Sequence, residues 1–144
     1  MRILIDGDAC PVIGITEEIG RKKGIEVIIF TDITHQISTE NKLVVLDKAN
    51  QSVDMAIYNQ CSSGDIIITQ DYGLASLVLS KGAKAINQSG LQYNDQNIDQ
   101  LLMYRHLHAK MRRAGVRHQT AGKRTAEDDH KYRETLLRVI NKLK

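Results

Sequence analysis

Five short runs rich in isoleucine and valine recur along this 144-residue chain, and helical patterns separate most of them. They cover residues 2–6, 25–30, 43–46, 65–69 and 83–86. Alternating with helices, they call for an α/β fold whose mainly parallel central sheet is covered on both sides.

Turn and cap residues punctuate this pattern. Pro11 is tolerated at a helix's first position and Gly24 supplies a stop, so a helix is expected over residues 11–23. Ser52 can cap a helix carrying Val53, Ala56 and Ile57. Thr69 or Asp71 can cap the next one, with Leu74, Ala75, Leu77 and Val78, which Gly82 ends. Residues 31–41 are polar and take no assignment, and Ser89-Gly90 marks a turn. A longer helix is expected over 95–113, with Ile98, Leu101, Leu102 and Leu107 at helical spacing. A basic loop over 115–124 leads to a last helix over 126–143, striped by Tyr132, Leu136, Val139, Ile140 and Leu143.

This length makes residues 1–144 a single domain, with 104–144 as a basic helical C-terminal segment. No apolar run approaches the roughly 18 residues that a membrane span needs. The first apolar stretch stops at Asp6, too early for a signal peptide. The expected location is cytoplasmic. Cys10 and Cys61 match no metal-binding spacing and are expected as free thiols. With one Phe, five Tyr and no Trp, the chain lacks the aromatic platform used to stack single-stranded bases, which disfavours a stacking-type RNA-binding module.

The net charge of +3 conceals a division. Residues 1–103 carry 8 Lys/Arg against 13 Asp/Glu, net −5, whereas residues 104–144 carry 12 against 4, net +8. An acidic body beside a basic segment suits an enzyme acting on a polyanion, although solvated lysines on a helical tail produce the same balance.

Four acids fall where a parallel sheet ends its strands. Asp6 and Asp8 follow the first run, Asp54 lies in the first turn of the helix after residues 43–46, and Asp71 follows the fourth run. If the first and fourth strands are neighbours, Asp6, Asp8 and Asp71 converge, with Asp54 opposite. Oxygen ligands of this kind suit Mg²⁺ or Mn²⁺. Acids at helix N-termini also complement the helix dipole, which accounts for Asp54 or Asp71 taken alone. Capping needs only one acid, so the pair Asp6 and Asp8 asks for more.

Other residues carry weaker signals. Cys10 near a helix N-terminus is better read as a small buried residue than as a nucleophile. Thr69 can donate to a phosphate, orient Asp71 or cap a helix. His35 has no partner visible in sequence, and His106 and His108 cannot share one helix face. Lys48 can meet a phosphate or sit in solvent. Arg105, Lys110, Arg112, Arg113, Arg117, Lys123 and Arg124 form a basic segment able to track a nucleic-acid backbone.

Taken together, Asp6-Gly7-Asp8-Ala9-Cys10-Pro11, Val53-Asp54-Met55-Ala56-Ile57 and Gly64-Asp65-Ile66-Ile67-Ile68-Thr69-Gln70-Asp71 resemble motifs of the uncharacterised bacterial YaiI/YqxD family. Leu74-Ala75, Lys81-Gly82-Ala83, Gly90 and Asn97-Ile98 extend the resemblance over nearly the whole chain. That family is grouped with PIN-like nuclease domains, which implies a three-layer α/β/α sandwich with added C-terminal helices. In PIN domains an Asp ends the first strand, an acid lies on a central helix, and Thr-x-Asp follows the fourth strand. By motif these positions are Asp6, Asp54, and Thr69 with Asp71; Asp8 belongs to the family's own opening and is implied as a fourth ligand.

The expected function is a Mg²⁺- or Mn²⁺-dependent PIN-like nuclease acting on RNA or another phosphodiester through metal-activated water. Asp6, Asp8, Asp54 and Asp71 are the expected ligands, Thr69 orients a carboxylate, and Arg112, Arg113, Arg117, Lys123 and Arg124 hold substrate. One alternative is a non-catalytic RNA-binding or regulatory protein with a structural metal site. Another is a phosphatase of the haloacid-dehalogenase type, since Asp6-x-Asp8 resembles that nucleophile motif. A homodimer through the C-terminal helix is compatible with the pattern, and no membrane partner is expected.

Overall fold

The computed structural model of the chain describes residues 1–47, 49–115 and 122–144. In order, its elements are β1 (Arg2–Asp6), α1 (Ile13–Lys23), β2 (Glu26–Asp32), β3 (Lys42–Leu46), α2 (Val53–Gln60) and β4 (Ile66–Ile68). They continue with α3 (Tyr72–Ser80), β5 (Lys84–Ile86), β6 (Gln92–Tyr93), α4 (Ile98–Arg113) and α5 (Ala126–Leu143). Among the described residues, the six strands form one sheet in the order β3-β2-β1-β4-β5-β6. Every pairing is parallel except β5 with β6.

Period-two alternation within the apolar strands builds two cores. Leu4, Ile28, Phe30, Ile67 and Ala85 face one side, where Val53, Ala56 and Ile57 of α2, Leu74, Ala75 and Val78 of α3 and Ile98 of α4 cover them. Ile3, Ile5, Val27, Ile29, Ile66, Ile68 and Ile86 face the other, beneath Ile19 of α1 and Tyr132, Leu136, Val139 and Ile140 of α5. The result is the expected three-layer α/β/α sandwich. Each fully buried side chain of this kind contributes about 1.5–3 kcal/mol of hydrophobic stabilisation before entropy is counted. The C-terminal helix therefore forms, with α1, one of the sandwich's outer layers. Its start is defined by a capping box in which Thr125 and Asp128 satisfy each other's backbone N–H groups.

Two glycines matter for the site. Gly7 donates its N–H to Phe30 O at 2.7 Å, and a Cβ there would lie 2.8 Å from that same oxygen. The turn after β1 thus hugs β2 in a way only glycine permits. Gly24 ends α1 with φ 68°, as a left-handed C-cap.

The structure moves some boundaries. Helix α1 begins at Ile13, not Pro11, because Pro11 and Val12 form a turn whose carbonyl at Val12 accepts from Thr16 N and Oγ1. Strand β2 runs to Asp32, two residues beyond its apolar run. The polar stretch that follows is tied down where Thr39 Oγ1 and Asn41 Nδ2 donate to Glu17 Oε2. β6 has only two residues, too few for any periodic signal. Among the described residues, no helix is long and apolar enough to cross a membrane.

Candidate functional site

Strands β1 and β4 lie side by side, with Ile5 paired to Ile68. Their carboxyl ends therefore deliver Asp6 and Thr69 to the same edge of the sheet, as expected for open parallel sheets. Asp8 lies on the turn after β1, where Ala9 takes φ 53°, a backbone state that a non-glycine residue adopts only under local constraint. Asp54 comes from the first turn of α2, whose N-cap Ser52 accepts from Met55 N. Asp71 caps α3. Asp6, Asp8, Asp54 and Asp71, with Ser52 and Val53, line one open cleft of about 320 Å³.

Thr69 joins two of these acids. Its hydroxyl donates to Asp6 Oδ2 at 3.1 Å and accepts from Asp71 N at 3.0 Å. Burial is the main influence on the Asp6 carboxyl and pushes its pKa up to about 6, with Asp8 and Asp71 adding repulsion. The Thr69 hydrogen bond and the backbone of Asp8 oppose that rise.

Asp71 works in two directions. Its Oδ1 accepts from Gly73 N at 2.9 Å and Leu74 N at 3.4 Å, capping α3. The same oxygen accepts from Arg105 Nη1 at 3.2 Å. Arg105 thereby brings α4 to the rim of the cleft, beside Gln70 and Tyr72.

A second group adjoins Asp8. Asp32, fully buried at the end of β2, accepts from Thr34 N at 2.8 Å and from Thr34 Oγ1. Its Oδ1 also meets His35 Nδ1 at 3.0 Å, and that nitrogen lies 3.4 Å from Asp8 Oδ1. Thr31 Oγ1 donates to Asp8 Oδ1 at 3.1 Å. The ligand-type atoms of Asp8, Asp32 and His35 lie within 4.8 Å of one another. A single nitrogen of His35 thus meets both acids. Asp32 was hidden because the sheet extends past its apolar residues; the rule that strand ends carry site residues would have found it had β2 been given its full length.

The remaining expected residues are placed as follows. Arg112 and Arg113 occupy the last turn of α4 and are exposed, as is Lys123. Arg124 turns inward, donating to Asp129 Oδ1 at 2.7 Å and to Gln88 O at 2.8 Å, on a neighbouring polar hollow with Gln70, Tyr72 and Asn87. Arg117 and Lys48 lie outside the described residues. Cys10 lines a small hollow of about 50 Å³ with Asp6 and Asp8, and burial pushes its thiol up, away from the thiolate form that a nucleophile needs. Both cysteines are free.

The chain belongs to the family described as "Uncharacterized BCR, YaiI/YqxD family", whose model matches residues 4–142. Among its relatives, a UPF0178 protein of Clostridium kluyveri is 50% identical over 141 residues, spanning 97% of this chain and 93% of that one. A UPF0178 protein of Clostridium tetani is 46% identical over 145 residues, covering 100% and 99%. Among solved structures, the crystal structure of Rae1 (YacP) from Bacillus subtilis aligns with a TM-score of 0.47 and 16% identity, over 98% of this chain and 97% of that one. A likeness at that level assigns no role to any residue.

Proposed function

We propose that this member of the YaiI/YqxD family is a PIN-like nuclease that uses Mg²⁺ or Mn²⁺ to hydrolyse phosphodiesters, with RNA as its favoured substrate. One observation carries the reading: four aspartates from three separate parts of the chain line a single cleft at the carboxyl edge of a parallel sheet. The donor set fits a hard divalent cation, being carboxylate oxygen throughout. Asp6 fits as well, because a carboxyl raised to about 6 by burial and by two neighbouring acids gains most from added positive charge.

Asp6, Asp8, Asp54 and Asp71 would hold the cation, which when bound polarises phosphoryl oxygens and lowers the pKa of water. The chain's own contribution is placement. Thr69 fixes the Asp6 carboxylate and the start of α3 with a single hydroxyl. Arg105, reaching from α4, restrains Asp71. Arg112, Arg113, Lys123 and Arg124 offer cationic contacts for a phosphate backbone, and Arg117 stands in the same basic segment.

The test is a cleavage assay on end-labelled single-stranded RNA with Mg²⁺ or Mn²⁺. Wild type should cut and Asp6→Asn should not, with equal circular dichroism. Cleavage that persists in Asp6→Asn, or that proceeds in EDTA, contradicts the assignment.

A further inference from the structure

Helix α4 changes character halfway along. Its first two turns present Ile98, Leu101 and Leu102 to the core over α3. Beyond them the helix carries Tyr104, Arg105, His108 and Arg112 at spacings of one, four and eight residues, an arc of about 100° at roughly 100° per residue. The Arg105 contact with Asp71 turns this arc toward the cleft. On it, the Tyr104 and His108 rings stack with centroids 3.9 Å apart and planes inclined by 37°. Tyr104 is nevertheless 55% exposed, so more than half of this side chain meets solvent.

We propose that this arc is a landing site for one unpaired base of a single-stranded polynucleotide, stacked on Tyr104 and His108, with Arg105 and Arg112 on the flanking phosphates. The nuclease reading supplies the polymer, but the binding claim stands apart from cleavage. Charge favours a polyanion: α4 carries Arg105, Lys110, Arg112 and Arg113 against Asp99 alone. The adjoining cleft is acidic, so a phosphate chain needs cationic guides to approach it. A single strand is required because a duplex hides the base faces that an aromatic ring would meet. The scarcity of aromatics in the chain limits the device to one base rather than a platform. Met103, Leu107 and Met111 are exposed on the adjoining arc and provide the rival reading, contact with a second copy of this chain.

The experiment is fluorescence anisotropy of a labelled oligouridylate dodecamer with the full chain in EDTA and low salt, where no metal-dependent cleavage occurs. Tyr104→Ala should weaken binding roughly 5- to 100-fold, the range of one base–aromatic stack, and Tyr104→Phe should retain it. An abasic dodecamer with the same phosphates should bind wild type and Tyr104→Ala alike. Equal affinity of wild type and Tyr104→Ala for oligouridylate overturns the proposal, as does an absence of binding by wild type. Sedimentation covers the rival: a dimer that Tyr104→Ala dissociates, with oligouridylate affinity unchanged, assigns the face to self-association. Stack-dependent binding without cleavage under any metal leaves this inference standing and removes the nuclease reading.

Discussion

The Thr69 hydroxyl donates to Asp6 Oδ2 across 3.1 Å while accepting the Asp71 backbone N–H at 3.0 Å. One side chain thus sets the carboxylate at the end of β1 and the first turn of α3. Because β1 and β4 pair in parallel with Ile5 beside Ile68, this link needs no loop rearrangement to form.

Thr69→Val removes both hydrogen bonds and keeps the volume. The expected stability cost is about 1–2 kcal/mol, typical of a lost hydrogen bond with a partner left unsatisfied. Divalent-cation affinity should fall by about 10- to 100-fold, as for other residues that orient ligands. Calorimetry with Mn²⁺ and urea denaturation read the two effects separately.

Asp6 titrates near pH 6 in the folded chain against an ordinary 3.8. The native state therefore holds a proton that the unfolded chain has released, so stability from this group is greatest below about pH 4 and is lost as pH rises through 6. In metal-free protein Asp6→Asn should be more stable than wild type at pH 7.5, by on the order of 1–2 kcal/mol after allowance for partial exposure. It should also flatten the stability profile between pH 4 and 6. Thermal unfolding from pH 4 to pH 7.5 decides it; a less stable Asp6→Asn at pH 7.5 contradicts the buried-carboxyl account.

Asp71 separates capping from ligation. Asn can accept the Gly73 and Leu74 N–H groups as Asp does, so Asp71→Asn should keep stability within about 0.5 kcal/mol, whereas Asp71→Ala should lose about 1 kcal/mol. Both should lose Mn²⁺ binding. Parallel denaturation and calorimetry on the two variants check this, and retained binding in Asp71→Asn removes Asp71 from the ligand set.

Leu136 on α5 is fully buried against the Ile-rich face of the sheet. Leu136→Ala should cost about 2–5 kcal/mol through the cavity it leaves. A cost under 1 kcal/mol in denaturant unfolding contradicts the packing of α5 against the sheet.

Much of this arrangement was legible in the residues themselves. Isoleucine runs marked β1 and β4, Ser52 announced α2, Thr69 or Asp71 announced α3, and the stripe from Tyr132 to Leu143 placed α5 at residues 126–143. The four aspartates could be named because strand ends and helix starts share one edge of a parallel sheet. Asp32 escaped because β2 runs two residues past its apolar part, and its partners Thr34 and His35 lie on a stretch without periodicity. Arg105 with Asp71 spans 34 residues, and only the packing of α4 over α3 brings them together.

The most direct test of the central claim is calorimetric titration of Mn²⁺ into wild type and Asp6→Asn/Asp71→Asn at pH 6 and pH 7.5. The account predicts saturable binding in wild type, with more protons released at pH 6 as the Asp6 carboxyl ionises, and no binding in the double variant. Equal binding by both proteins, or none by wild type, contradicts a metal centre built on these aspartates.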